Sequence, residues 1–384
     1  MQYGAEQSST FPLLSSSRCA MSQTSIGVAV VGTGFGQKVH IPGFSAHHRT
    51  EVVAVYHRDR NQAEAIAKHH GIPHACDTIE AVVALPQVQA VSVATPPFAH
   101  HAMATAALQA GKHLLLEKPT ALTVQEAQQL HALAQQHQVA AVMDFEFRFI
   151  PSWQRLAELL NENYVGQKRL VKIDWIAGSR ANPERAWNWY ARKDQGGGAL
   201  GSIGSHMFDY VDWLFGPVKR LSANLSTTIT QRPDPVSGKY KSVDSDDTCS
   251  ITLELVDGTP VQVTLSAVAL AGRGHEVYVE KGTLVLGNAN QKDYIRGFTL
   301  AGSQAGEPLT PMDIPDRLAF PKLYDDGRLA PFIRVVDHWV SCIDQQQTTA
   351  PSLTEGVYSQ LLMDLTHPAN AQHTWVTVPS RASG

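Results

Sequence analysis

From residue 26 onward, short apolar runs rich in β-branched residues alternate with longer runs of good helix formers. The apolar runs are nearly continuous, which is typical of strands that helices cover on both faces. The intervening runs are rich in Ala, Gln, Leu and Glu. This alternation predicts stacked βαβ units around a parallel sheet. Strands are predicted at 26–31, 52–56, 88–94 and 113–116, and helices at 61–70, 99–110 and 123–138.

Beyond about Pro151 the pattern changes to an alternation with a period of two, as in Val261, Val263 and Leu265. This period indicates strands with one buried and one solvated face, and hence a mostly antiparallel sheet. The chain is therefore predicted to be an α/β protein with an N-terminal Rossmann-like parallel-sheet domain and a C-terminal α+β domain. The predicted divisions are a disordered Ser-rich extension at 1–25, the first domain at 26–147 and the second at 148–384, with late helices at 330–343 and 354–365.

The charge and cysteine content exclude several classes of partner. The chain of 384 residues has 31 basic and 35 acidic residues, a net charge of −4, and no run of like charge. This balance provides no electrostatic surface for nucleic acid or an anionic membrane. No apolar run approaches the roughly 18 to 20 residues that span a bilayer. Four scattered cysteines and adjacent histidine pairs predict no disulfide framework and no metal site, which favours a reducing, cytoplasmic location and small-molecule partners.

A glycine-rich segment follows the first predicted strand directly and opens a helix. In this context the segment predicts a cradle for a dinucleotide pyrophosphate, with one glycine for the tight turn and another for close backbone approach at a helix N-terminus. The third glycine of the usual pattern is replaced by Gln37, so the helix is expected to pack differently against the strand. The alternative is a turn that needs glycines only for steric reasons. The segment comprises Gly32, Thr33, Gly34, Phe35, Gly36 and Gln37.

The end of the second predicted strand bears on the choice between NAD and NADP. An acidic residue there would bind the adenosine ribose and repel a 2′-phosphate. Here His57 occupies that place, and Arg58 follows it as a permanently charged fork suited to a phosphate. NADP(H) is therefore the preferred cofactor over NAD(H). In the alternative, Arg58 is a solvated surface residue and Asp59 reaches the ribose.

Several later motifs share a recognisable pattern. A Lys-Pro pair stands at the carboxyl end of a predicted parallel strand, where open α/β sheets bind ligands. Together the motifs resemble the Gfo/Idh/MocA family of NAD(P)-dependent oxidoreductases, and the resemblance covers nearly the whole chain after Ser25. The motifs are Thr95-Pro96-Pro97 with His100, Glu117-Lys118-Pro119, the Gly-Gly-Gly…Gly-Ser-His segment at 196–206, and the Pro-x-x-x-x-x-Gly stretch at 351–356.

The resemblance implies that Lys118 lies beside the nicotinamide and binds the reacting oxygen, and the Lys118-Pro119 bond is often cis in the family. The alternative is a strand-end surface lysine. The resemblance also implies a cofactor-binding group that consists of Thr95, Pro96, Pro97, His100 and Glu117.

A predicted helix from about Ser202 carries the second half of the implied site. His206 and Asp209 fall close together on it, and a histidine with an oxygen partner suits general acid/base chemistry. Many relatives have Asp four residues before this histidine, as the third member of a Lys/Asp/His trio, whereas this chain has Ser202. Another acid could substitute for it, and the candidates are Asp209 and Asp194.

Arg148 and the aromatic-rich segment from Arg180 to Arg192, with Trp187, Trp189 and Tyr190, are candidates for the substrate wall, because aromatic faces and polar edges suit sugar-like ligands. Core packing or a domain interface is the alternative. The predicted function is an NAD(P)-dependent oxidoreductase that interconverts a secondary alcohol and a carbonyl on a sugar-like or cyclitol substrate. The rival is an NADP(H)-binding sensor or scaffold that has lost turnover with the acid of the trio. The exposed face of the second sheet is expected to form a homo-oligomer, a dimer or a tetramer.

Overall fold

The computed structural model describes residues 25–162, 164, 166–269, 273–288, 290, 296–304 and 307–380. The predicted extension at 1–25 lies outside these residues except for Ser25. Within the described residues, no helix is both long and apolar enough to cross a membrane.

The first half contains a sheet of six strands, all parallel to their neighbours. The four predicted strands are present, and two short strands of three residues each extend the sheet at its edges. The strands are β1 Ile26–Val31, β2 Thr50–Tyr56, β3 His74–Cys76, β4 Ala90–Val93, β5 His113–Leu116 and β6 Ala141–Met143. Their order in the sheet is β3-β2-β1-β4-β5-β6, so the strand order reverses between β1 and β4, and a crevice opens there at the carboxyl ends of the strands.

Local capping fixes the helices between these strands. The Asp59 side chain accepts hydrogen bonds from the first backbone N–H groups of the second helix, and Gly71 ends that helix with a positive φ of 68°. Thr123 caps the fifth helix in the same way. The helices are α1 Ile41–Ala46, α2 Arg60–His70, α3 Ile79–Val83, α4 His100–Gln109 and α5 Val124–Gln136.

The second half contains a mixed sheet of nine strands, antiparallel at every pairing except that of β7 with β12. This architecture confirms the predicted fold class. The strands are β7 Lys168–Ile176, β8 Val218–Ser226, β11 Thr248–Leu255, β12 Pro260–Ser266, β13 Arg273–Val279, β14 Gly282–Asn288, β15 Phe298–Gln304, β16 Thr310–Pro311 and β17 Val376–Thr377, in the order β16-β15-β14-β13-β7-β12-β11-β8-β17. A separate antiparallel pair consists of β9 Gln231–Pro233 and β10 Tyr240–Ser242.

Four longer helices complete the fold, namely α6 Pro151–Asn161, α7 Ser205–Phe215, α8 Leu329–Gln345 and α9 Leu353–Gln372. The late helix α8 returns to the first sheet, where Phe332 and Trp339 share a core with Val28 and Val30. Gly43 allows this packing, because a Cβ there would lie 2.4 Å from the Phe332 ring. The core of the first half is therefore not completed within 26–147, as it needs side chains from residues far along the chain.

Candidate active site

A cleft of about 900 Å³ runs along the carboxyl ends of the parallel strands, at the point where the strand order reverses. One side of the cleft is formed by the loops after β1, β2, β4 and β5. The other side is formed by Arg180, Trp189, Tyr190 and Ser202, which precede α7. The cleft therefore joins the predicted dinucleotide site to residues of the second half.

The glycine-rich loop fits a dinucleotide. Gly32 has a φ of +107°, and a Cβ there would lie 2.5 Å from the backbone of Ala94, so the turn requires glycine. A Cβ on Gly34 would meet nothing within 4 Å, which leaves its backbone facing open space that a pyrophosphate can enter. Thr33 and Phe35 line the cleft on either side of Gly34.

The end of this loop corrects the expectation that Gln37 forms part of the dinucleotide cradle. A Cβ on Gly36 would lie 3.0 Å from Val30 and 3.4 Å from the Ala94 Cβ, so Gly36 is the glycine that allows the helix to approach the sheet. This glycine stands one residue before the usual position of the third glycine, and a wide π-helical turn over Gly36–His40 accommodates the difference. Gln37 does not line the cleft, and its Nε2 instead lies 3.3 Å from Nε2 of His70.

The end of β2 places His57 and Arg58 in the wall of the cleft. Asp59 has a different role, because its carboxylate accepts hydrogen bonds from the Asn61 and Gln62 backbone N–H groups at 2.9 and 3.3 Å. Among the described residues no carboxylate forms an ion pair with the exposed Arg58, whereas Arg60 pairs with Glu64 at 2.7 Å. Arg58 is thus the cation at this end of the cleft that no acidic side chain neutralises.

The loop after β4 contributes Thr95, Pro96 and Pro97 to the cleft. His100, which was expected to bind the cofactor, lies beneath the surface instead. Its ring is fully buried, with Nδ1 2.7 Å from the Pro119 carbonyl and Nε2 2.8 Å from the Thr95 carbonyl. His100 therefore holds together the two loops that form the floor of the cleft.

The strand β5 ends at the Glu117-Lys118-Pro119 motif, and all three residues line the cleft. The Lys118-Pro119 peptide bond is cis. Glu117 Oε2 accepts a hydrogen bond from the Lys118 backbone N–H at 3.2 Å, and Oε1 lies 3.1 Å from Nε2 of His40. Burial alone would raise the pKa of Glu117, but the His40 hydrogen bond and the Lys118 charge lower it to about 2. A permanent carboxylate thus lies beneath Lys118.

Behind this carboxylate, His40, Glu117 and Asp144 form a buried cluster, the one group of three potential metal ligands that the described residues bring together. His40 Nε2 lies 3.6 Å from Asp144 Oδ2, and its Nδ1 lies 2.7 Å from Oγ of Ser92. Burial and the charge of Glu117 raise the pKa of Asp144 well above its usual range. The cluster is thus a hydrogen-bonded support for the Lys118 loop, and the sequence spacing does not reveal it.

His206 is buried behind the cleft and packs against aromatic rings. Its ring centroid lies 4.8 Å from that of Phe147 and 6.0 Å from that of Trp175, and its Nδ1 has no hydrogen-bond partner among the described residues. Burial, followed by the charge of Lys118, holds the pKa of His206 well below its usual range. The ring is therefore neutral, and His206 does not line the cleft.

Asp209 does not serve His206. It accepts three hydrogen bonds from Arg148 at 2.7 to 3.2 Å in a buried bidentate pair. Burial raises the pKa of Asp209 to about 6, although Arg148 opposes the shift. Arg148 was expected on the substrate wall, but it does not line the cleft. Asp194, the other proposed replacement acid, is exposed and pairs with Arg192 at 2.8 Å.

In the substrate half of the cleft, the Ser202 Oγ lies 2.6 Å from the Tyr190 hydroxyl and donates to the Gly198 carbonyl at 2.8 Å. The Arg180 guanidinium carbon lies 3.0 Å from the centre of the Tyr190 ring. Trp189 lines the same wall. The sequence placed Arg180 in the segment expected on the substrate wall, but no spacing links it to Tyr190, and only the folded loop places one over the other.

The parallel sheet, the glycine loop and the lysine at the end of β5 together define a dinucleotide-dependent oxidoreductase. An oxidoreductase family model with an NAD-binding Rossmann fold matches residues 26–145, and a GFO/IDH/MocA C-terminal domain model matches residues 153–285. An uncharacterized oxidoreductase of Synechocystis sp. is 52% identical over 355 residues, which cover 92% of this chain and 96% of the relative. The chain therefore belongs to the Gfo/Idh/MocA family of oxidoreductases, which confirms the resemblance.

Two further comparisons involve sugar dehydrogenases. The D-glucoside 3-dehydrogenase of Escherichia coli is 31% identical over 216 residues, which cover 54% of this chain and 59% of that protein. A solved structure of levoglucosan dehydrogenase in complex with NADH and levoglucosan has a TM-score of 0.84 at 21% identity, and the match covers 93% of this chain and all of that chain. The second likeness establishes a shared fold.

Proposed function

We propose that this enzyme interconverts a secondary alcohol and a carbonyl on a sugar-like or cyclitol substrate with a nicotinamide cofactor. The observation that carries the proposal is the position of Lys118, which lines one continuous cleft with the glycine loop and with Tyr190 and Ser202. The activities named for the two sugar dehydrogenases above support the same substrate class. When bound, the nicotinamide supplies or accepts the hydride.

The proposed role of Lys118 is to donate a hydrogen bond to the reacting oxygen and to stabilise the negative charge that develops there. Glu117 accepts a hydrogen bond from the backbone N–H of Lys118 and is itself fixed by His40, so the lysine loop is tied to a rigid support. His206, neutral because of its burial, is proposed to accept the proton that leaves the substrate hydroxyl during oxidation and to return it during reduction.

The test is a direct activity assay. Purified protein is mixed with NAD⁺ or NADP⁺ and a panel of sugars, polyols and cyclitols, or with NADH or NADPH and the matching keto compounds. Turnover is followed by the absorbance of the reduced nicotinamide. Oxidation of at least one alcohol with stoichiometric cofactor reduction supports the proposal. Saturable cofactor binding without turnover across the panel contradicts it and supports the sensor alternative instead.

We further propose that the cofactor is NADP(H) rather than NAD(H). Arg58 supports this choice, since it lines the cleft without a carboxylate partner among the described residues. Asp59 supports it as well, because its carboxylate is engaged in capping α2. A 2′-phosphate on the adenosine ribose would give Arg58 its counter-charge.

The C-terminal sheet is the proposed surface for a homo-oligomer. Helices α6, α7 and α9 pack on one side of it, whereas Ser250, Thr252 and Gln262 are exposed on the opposite face. A closed two-fold arrangement is the commonest outcome for such a face. Light scattering at micromolar concentration is expected to give a mass above 41.8 kDa, and a monomer alone would refute the idea. The cytoplasmic location stays a prediction.

A further inference from the structure

Arg180 is an arginine held rigidly in the substrate half of the cleft. Its backbone N–H donates to the Ala267 carbonyl at 2.9 Å, and its carbonyl accepts a hydrogen bond from Arg232 at 2.7 Å. Its guanidinium lies over the Tyr190 ring and lines the cleft. The side chain is therefore positioned from both sides before any ligand arrives.

No carboxylate among the described residues forms an ion pair with Arg180. The charged groups that influence it include two more arginines, Arg185 and Arg232, and these repel its charge. Burial, followed by the opposing attraction of Tyr190 and the repulsion of Arg185, gives Arg180 a pKa of about 10, so it remains a cation at neutral pH. A cation that is partly removed from water without a counter-charge is costly, and an anion bound beside it would relieve that cost.

A second arginine close to the site, Arg148, shows how the protein neutralises an arginine with its own carboxylate. Arg148 is buried and receives a bidentate carboxylate from Asp209 within the protein. Arg180 has no such carboxylate, although it stands in the ligand cleft and Arg148 does not. The difference indicates that the counter-ion of Arg180 comes with the ligand.

We propose that the substrate is a sugar acid or polyol acid whose carboxylate pairs with Arg180. The inference rests on the proposed function and names the substrate class of that site. A carboxylate is favoured over a phosphate because, among the described residues, Arg180 is the one arginine that lines the substrate half of the cleft. Arg185 donates to the Ser179 carbonyl, and Arg232 donates to the carbonyls of Asn182 and Arg180. One planar guanidinium and one carboxylate neutralise each other's charge and are joined by two parallel hydrogen bonds.

The neighbouring side chains suit the rest of such a ligand. Trp189 offers an aromatic face to a sugar ring, and the Tyr190–Ser202 pair offers hydroxyl groups to its rim. Lys118 lines the same cleft, so one ligand can contact the lysine and the arginine with different groups. The carboxylate fixes the orientation of the substrate, and the reacting hydroxyl is presented to Lys118.

The experiment compares matched substrates on the wild-type enzyme and on three variants. The pairs are glucose with glucuronate and galactose with galacturonate, and glucose 6-phosphate serves as the phosphate arm. The expected result is a kcat/KM about 10- to 100-fold higher for the acid of each pair. Arg180→Gln abolishes this preference by raising KM for the acids, and Arg180→Lys restores part of it. Arg185→Gln, which removes an exposed arginine outside the cleft, leaves the preference intact.

Calorimetric titration of the same ligands into the cofactor-loaded protein separates this inference from the proposed function. Glucuronate binding that Arg180→Gln weakens, with no turnover of any substrate, refutes the proposed function and upholds the carboxylate site. Turnover of neutral and acidic partners with equal efficiency refutes the carboxylate site and upholds the proposed function. A preference for the phosphate also overturns the inference. A loss of NADPH affinity in Arg180→Gln as large as the loss of glucuronate affinity overturns it too, because it would assign Arg180 to the dinucleotide.

Discussion

The two halves of the cleft are built in different ways. The dinucleotide half consists mainly of backbone at the ends of parallel strands, where Gly32 and Gly34 leave room for a ligand. The substrate half consists of side chains from a loop region, where Arg180, Tyr190 and Ser202 contact one another. The first half can therefore accept any ligand with a pyrophosphate, whereas the second is specific to the chemistry of its side chains.

The two halves are alike in their charges. Each half holds one arginine that the described residues leave without a carboxylate partner, Arg58 at the adenosine end and Arg180 at the substrate end. Lys118 lines the same cleft, and its backbone N–H donates to the Glu117 carboxylate. The comparison predicts that changes at Lys118 affect the chemical step, whereas changes at the two arginines affect which ligands bind.

The largest effect is expected for Lys118→Ala. Removing the group that binds the reacting oxygen should lower kcat by about 10²- to 10⁴-fold, the range for a positioned acid or base. Cofactor affinity, measured by fluorescence titration, should barely change. Lys112→Ala is the matched control, because Lys112 lies at the opposite end of β5 and bonds the Val88 carbonyl. A Lys118→Ala enzyme with wild-type kcat would place the chemistry elsewhere.

Arg58→Ala tests the dinucleotide half. Loss of a charged hydrogen bond, about 1.5–3 kcal/mol, should weaken NADPH binding by about 10- to 150-fold and leave NADH binding nearly unchanged. Arg60→Ala is the control, since Arg60 is also exposed and lies two residues away, but it already pairs with Glu64. Equal affinities of the wild-type protein for NADPH and NADH would contradict the assignment of Arg58.

The Tyr190–Ser202 hydrogen bond gives a smaller and more specific effect. Tyr190→Phe and Ser202→Ala both remove this bond, which is worth about 0.5–1.5 kcal/mol, so each should lower kcat/KM by about 2- to 12-fold, and Ser202→Ala also removes the bond to the Gly198 carbonyl. The kcat/KM of the double variant should be no lower than that of the less active single variant, because the two groups share one interaction. Additive losses would show that the hydroxyls contact the substrate independently.

The smallest effect concerns stability at acidic pH. His206 has a folded-state pKa well below its usual range, mainly because of burial, so the unfolded chain binds the proton first as pH falls. Stability should therefore decrease as pH falls through about 6.5, by at most about 1.4 kcal/mol per pH unit for one proton. Buried His100 and half-buried His367, whose pKa values desolvation also lowers, contribute with the same sign.

His206→Gln should reduce the acid-induced loss of stability, as measured by urea unfolding at about pH 7.5 and about pH 5.5. The informative quantity is the difference between the two pH values, since the substitution also changes packing at both. An unchanged difference would mean that His206 does not titrate between the folded and unfolded states as its burial predicts.

The sequence allowed the architecture to be predicted because each strand and helix carries its own local pattern. The continuous apolar runs predicted the parallel sheet, and the alternation from Val261 to Leu265 predicted the second sheet. The short strands β3 and β6 escaped prediction because three residues carry no period. The return of α8 to the first sheet escaped as well, since no local pattern specifies which core a helix joins.

The site divides along the same line. Lys118 and the glycine loop could be placed from motifs, because the strand before each of them fixes where its residues lie. The partner of Asp209 could not be inferred, because helical spacing brings it near His206 but says nothing of Arg148 from another segment. The contact of Arg180 with Tyr190 depends on the shape of one irregular loop, and the buried His40 cluster joins distant parts of the chain, so neither follows from a local pattern.

The most direct test of the central claim, hydride transfer to a sugar-like carbonyl in this cleft, is isotope tracing. Wild-type protein is incubated with NADPH or NADH that carries two deuterium atoms at C4 of the nicotinamide, so that the transferred hydride is labelled whichever face it leaves, together with keto sugars, keto sugar acids and inososes, and the products are analysed by mass spectrometry and NMR. We predict one deuterium on the new carbinol carbon, incorporated about 10²- to 10⁴-fold more slowly when Lys118→Ala replaces the wild type. Cofactor oxidation without deuterium on any product, or label transfer that is unchanged in Lys118→Ala, would contradict the claim.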